Sequence, residues 1–176
     1  MPLPIAHGMV GICVMAAFAP ERRPGRAWPL WAAGGLLGVL PDVDHLLTIW
    51  RWMGRDWHHG FAHSLLFAAA AGGVGALFAR RRRLRVWFGF GLAGASHPLL
   101  DYLFTESRGV DLFWPFSATH HRLGLMPPIG YDWRRDSLAE QASDLLTICA
   151  FELAMGAALL MLVLLLRAAA VNRPDR

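Results

Sequence analysis

The feature that most constrains this chain is the alternation of long apolar segments with short basic ones. Five apolar segments can be drawn: Leu3 to Ala19, Trp28 to Trp50, Phe61 to Ala79, Leu84 to Phe104 and Leu138 to Ala170. Each approaches the ~20 residues an α-helix needs to cross ~30 Å of hydrocarbon, the first being the shortest. Hydrophobic residues make up 55% of the 176 and charged residues only 17%. Mean hydropathy is +0.36, more apolar than one buried core of this length accounts for. The pattern predicts an all-α, polytopic membrane helical bundle that forms one domain, residues 1–176. Ala17-Phe18-Ala19 imitates a signal-cleavage site, but no basic residue precedes the apolar run and Pro20 would follow the cut. The first segment is therefore expected to stay as a helix.

Charge sets the expected topology. All seventeen basic residues are Arg, and the formal net charge is +4. Arg22, Arg23 and Arg26 lie between the first two segments, in a loop at 20–27. Arg80 to Arg83 and Arg85 lie between the third and fourth, in a loop at 80–85. Arg167, Arg173 and Arg176 end the chain given. Alternation puts these eleven on one side, which the positive-inside rule makes cytoplasmic. Wedged between apolar segments, they read as topology anchors, and no nucleic-acid partner is expected. The expected partner is a lipid bilayer. Oligomeric state is not legible. Cys13 and Cys149 sit in separate apolar runs and suggest neither a disulfide framework nor a zinc motif.

The opposite, outer side collects the chemistry. All eight histidines (His7, His45, His58, His59, His63, His97, His120, His121) fall there, with nearly all the acids. The stretch Gly38-Val-Leu-Pro41-Asp42-Val-Asp44-His45-Leu-Leu47 sets two carboxylates and an imidazole inside an apolar run, which is costly unless they are paired. His97 and Asp101 stand at i and i+4 and share a helix face. At ~1.5 Å rise per residue, His7, Asp42, His63, His97 and Asp101 lie roughly 18–25 Å from the arginine end. Four helices thus bring ionisable groups to one level, and such groups at membrane depth are functional candidates with partners to be named. Carboxylates with neutral imidazoles suit Zn, Mn or Fe. A metal-free ion-paired network is the alternative, and the shortage of cations on this side weakens it. The irregular outer loop at 105–136 exceeds a connector in length and is expected to be functional.

Three motifs carry a resemblance. Pro41-Asp42-Val-Asp44-His45, then His58-His59-Gly60-Phe-Ala-His63-Ser64, then Ser96-His97-Pro-Leu-Leu-Asp101 with Phe113-Trp114-Pro115-Phe116 downstream, are similar to the bacterial membrane-bound metal-dependent hydrolase family (YdjM-like). The resemblance covers about residues 7 to 116. His59 stands where that family usually has Arg, Ala62 where it has Thr, and Glu106-Ser107-Arg108 departs from it after Thr105. A weaker likeness, in His7, Asp42 and the His97/Asp101 pair, is to the all-helical zinc phospholipase C group. It implies phosphoester cleavage by analogy of site alone.

The function these resemblances imply is metal-dependent hydrolysis, with a phosphoester of a lipid or lipid-linked molecule as the expected substrate class. The expected ligands are His7, Asp42, Asp44, His58, His63, His97 and Asp101, more than one ion needs, so two divalent ions are expected. Asp44 and His45 are the candidates for catalytic roles, His45 as proton shuttle or ligand-orienting group. His59, Arg122 and Trp114 are candidate contacts to an amphiphilic substrate; Arg122 could equally be a solvated loop charge, and Trp114 an interfacial anchor. The competing class is a non-catalytic metal-binding protein or an ion transporter. Transport would need a polar path to the cytoplasm, for which Glu152, deep in the fifth segment, is the one well-placed group.

Overall fold

The computed structural model describes residues 4–19, 24–44, 60–79, 82–104, 109–125 and 137–171. Five α-helices appear among them: α1 (Pro4–Phe18), α2 (Pro24–Val39), α3 (Leu65–Phe78), α4 (Arg83–Phe104) and α5 (Leu138–Val171). Two short 3₁₀ turns, Leu40–Val43 and Phe61–His63, extend α2 and precede α3. The described residues contain no strand, only an isolated antiparallel bridge between Val110 and His121. The all-helical expectation holds.

The expected lengths need correction. The apolar pattern carries the second segment to Trp50 with Pro41 expected to end or kink its helix, and α2 does end at Val39. Pro41 disfavours helical geometry in the residue before it and cannot donate its own N–H, so the chain tightens into the 3₁₀ turn. Where the third segment begins at Phe61, α3 starts at Leu65, because the Ser64 hydroxyl accepts the Phe67 N–H at 3.1 Å and caps the helix there. Of the helices described, α5 alone is long and apolar enough to cross a membrane by itself, with mean hydropathy 2.4 in an 18-residue window within Leu138–Ala170. Only 17% of that window is buried, so α5 is not the core helix of a soluble domain. Its leucines and methionines face outward, Leu146 and Met161 among them. α1 and α3 are apolar but shorter, at 15 and 14 residues.

α4 is central, with α1, α2 and α3 packed on it, while α1 also packs on α2 and α5. The contacts are close because small residues line them, as is usual between helices in membranes. A Cβ on Gly34 would come within 2.6 Å of the Gly11 carbonyl oxygen, and one on Gly38 within 2.3 Å of the His7 carbonyl oxygen. Across α3 and α4, a Cβ on Gly72 would meet the Trp87 carbonyl oxygen at 2.6 Å. Met15, Val86, Phe90 and Ala93 form the buried apolar core, with Leu30, Trp31 and Leu37 of α2 around it.

Both ends of α1 are held by charged side chains. Arg85 Nε donates to Phe18 O at 2.7 Å and its Nη2 to Ala17 O at 3.3 Å. Arg167 donates to Ala16 O and, at 3.1 Å, to Ala19 O. Two of the basic groups therefore meet at the C-terminal end of α1, the end away from His7. The rest of the 20–27 and 80–85 loops is described only from Pro24 and Arg82 onward.

Candidate metal centre

Four elements converge beyond the other end of the bundle. The 3₁₀ turn after α2 carries Asp42, with Asp44 closing it as the C-terminal cap residue. The turn before α3 carries His63, turned inward just ahead of the Ser64 cap. α4 brings His97 and Asp101 one turn apart, and α1 brings His7. His63, His97 and Asp101 are fully buried and His7 is 1% exposed. Asp42 is the open edge of the group, its side chain 20% exposed.

The polar atoms face one another. His97 Nε2 lies 3.1 Å from His63 Nε2, 3.3 Å from Asp42 Oδ1 and 3.2 Å from Asp101 Oδ2. His63 Nε2 is 3.6 Å from the same Asp101 oxygen and 4.0 Å from Asp42 Oδ1. The second nitrogen of each ring is engaged elsewhere. His97 Nδ1 is 2.6 Å from the Gly38 carbonyl, which can only accept, so that nitrogen carries the ring proton. His63 Nδ1 is 3.2 Å from Asp44 Oδ2, a charge contact that favours the ring proton on that nitrogen. The Nε2 atoms of both rings thus face two carboxylate oxygens; with the rings neutral they would offer lone pairs to a cation, and a protonated His97 would donate to Asp42 and Asp101 instead.

Four donors around a tetrahedral zinc at about 2.0–2.1 Å would stand about 3.3 Å apart. The separations above, 3.1 to 4.0 Å, bracket that edge, and the ligand atoms of two trios, Asp42, His63 and His97, and His7, His97 and Asp101, each lie within 4.8 Å of one another, so these residues fit a divalent ion. His7 stacks on His97 at 3.9 Å between ring centroids, and its Nε2 is 3.5 Å from Asp101 Oδ1. Among the described residues, neither Asp101 oxygen nor His7 Nδ1 forms a hydrogen bond, which is costly for buried polar atoms. Asp101 turns one oxygen toward His7 and the other toward His63 and His97.

Of the residues singled out from sequence, the structure brings together His7, Asp42, Asp44, His63, His97 and Asp101. Asp44 stands apart from the inward ligand atoms and orients His63 instead. His45, His58 and His59 lie outside the described residues. Trp114 is at the surface with its ring 6.1 Å from that of Phe61, two residues from His63. Arg122 is exposed and follows the Val110–His121 bridge. His120 pairs with Asp111 at 2.5 Å. The loop that carries them is fastened beside the cluster: Leu65 N donates to Leu112 O at 3.0 Å, and Leu123 N to Tyr102 O at 2.7 Å. Gly109 begins this return at φ +90, and a Cβ there would strike His121 O. Two contributors escape sequence reasoning: the Gly38 carbonyl, a backbone group whose only signal is the Gly34/Gly38 spacing, and the Ser64 cap. Glu152 also finds a partner, accepting the Ala6 N–H at 3.0 Å.

The chain is similar to the inner membrane protein YbcI of Escherichia coli (strain K12), 32% identical over 123 residues that make up 66% of this chain and 69% of that protein. No solved structure matches it significantly. The family model described as YdjM inner membrane protein matches residues 1–173, and with helices, apolar surface and near full-length match in accord, the chain belongs to that inner-membrane family.

Proposed function

We propose that this protein is a multi-pass hydrolase of the bacterial inner membrane that uses divalent metal, zinc foremost with manganese or iron as alternatives. On this reading all five helices lie in the bilayer, the shorter ones completed by neighbours, and the centre opens on the extracytoplasmic side. The observation that carries it is the set of imidazole nitrogens and carboxylate oxygens that face one another at 3.1–4.0 Å.

A bound divalent ion would supply a water of lowered pKa and a positive charge for an anionic oxygen. Asp42, His63 and His97, with Asp101 beside them, would hold one ion, and His7 with Asp101 would contribute to a second. The Gly38 carbonyl and Asp44 fix the ring tautomers of His97 and His63, which keeps Nε2 of each basic. Asp42, the partly exposed member, marks the side from which a substrate reaches the centre. Leu40 and Val43, on either side of it in sequence, are exposed and apolar. An entrance of that kind favours an amphiphilic molecule, and an anionic head such as a phosphoester suits a two-metal site. His45, His58 and His59 remain candidates for proton transfer, further ligation and head-group contact.

Elemental analysis of detergent-purified protein tests the proposal. Wild type is expected to hold about one to two transition-metal ions per chain, and His97→Ala and Asp42→Ala to hold none in the main position. Folded wild type that stays metal-free after reloading with zinc and manganese would sink it. Metal without turnover of any lipid phosphoester would favour the non-catalytic alternative.

A further inference from the structure

The geometry points to Glu152 as a positioning residue: from α5 it sets the first turn of α1, and through that turn the place of His7 in the centre. The inference rests on the metal-centre proposal above.

α1 has 15 residues, so it spans about 22 Å, less than a ~30 Å hydrocarbon core. The first N–H groups and last C=O groups of a helix have no partner within it. In hydrocarbon each would cost several kcal/mol if left bare. The structure supplies partners at both ends from other helices. At the C-terminal end these are Arg85 and Arg167. At the N-terminal end Glu152 accepts the Ala6 N–H at 3.0 Å, and a carboxylate there also meets the positive end of the helix dipole.

The register is set one turn along α5. Gly156 lies so close to α1 that a Cβ on it would come within 2.6 Å of the Met9 Cβ, and its carbonyl is 3.8 Å from Cys13 Sγ. α5 therefore runs parallel to α1, with Glu152 level with the residue before His7 and Arg167 level with Ala16 and Ala19. His7 is the one cluster member on α1. Its ring is held by stacking on His97 and by Asp101, and its backbone by the turn that Glu152 caps. Glu152 touches no reacting group; it acts through α1.

The test uses full-length protein in detergent, with zinc alone as probe. Zinc affinity is measured by competition with a chromophoric chelator, and backbone hydrogen exchange is followed over residues 4–8. Glu152→Ala is expected to weaken zinc binding about tenfold, the low end for a residue supporting a ligand, and to speed exchange in the first turn of α1. Glu152→Gln retains an acceptor oxygen and is expected to stay within about twofold of wild type. In a His7→Ala background, Glu152→Ala is expected to cost nothing further, because a residue that works through His7 has nothing left to place. Wild-type zinc affinity in Glu152→Ala overturns the inference while leaving the centre intact. An equal loss in the His7→Ala background also overturns it, as general loosening. A wild type that takes no zinc overturns both.

Discussion

At the residue scale the centre depends on which ring nitrogen each histidine turns inward. Asp44 determines this for His63 from 3.2 Å. Asp44→Asn is therefore expected to leave the fold in place and weaken zinc binding about 10–100-fold, whereas Asp42→Asn, which alters a ligand, should lower the metal count itself; chelator competition and elemental analysis separate the two. Acidification is expected to release the metal, since protons and metal compete for the same imidazole and carboxylate atoms, and dialysis across a pH series reads it out. His7, Asp42, His63, His97 and Asp101 were legible because ionisable groups inside apolar runs are conspicuous, and because i, i+4 spacing and segment alternation give face and depth. The role of Asp44 was not. It stands two residues from Asp42, and only the 3₁₀ turn, with Asp44 at its end, decides which carboxylate points at the centre and which at the back of a ring.

At the element scale, glycine spacing governs how near the ligand-bearing helices come. Gly34 faces Met15 and Gly11 with no room for a methyl group, a Cβ falling 2.3 Å from Met15 Cγ. Gly34→Val is expected to part α1 from α2, lower the unfolding temperature, and loosen His97 as the Gly38 carbonyl retreats with its helix. Thermal unfolding with and without zinc checks this. Ser64→Ala removes one cap and should cost about 1 kcal/mol, read in the same assay. The five segments were visible as hydropathy, with the arginines between them as punctuation. The end of α2 was legible in Pro41, but the start of α3 was not, because Ser64 acts through local turn geometry that hydropathy does not register. Glu152 was visible as a polar group in an apolar helix, but its partner is a backbone N–H 146 positions away, which no local pattern encodes.

At the scale of the whole molecule, the centre joins four separate elements, so metal and fold should stabilise each other. Chelation is expected to lower the unfolding temperature, and zinc at about 100 times its dissociation constant to add about 2.7 kcal/mol. Reporter fusions after Phe78 and after Leu125 should report opposite sides of the membrane if the arginine end is cytoplasmic; the same side for both would refute the arrangement. The clamp on α1 also bears on the order of events during synthesis. α1 is made before α5, yet its N-terminal end is met by Glu152 of that helix and its C-terminal end by Arg167 of α5 together with Arg85 of α4. Until α5 is made, the Ala6 N–H is left to water or to another protein. A nascent chain interrupted before Leu138 is therefore expected to present an incomplete α1 to the quality-control machinery of the membrane.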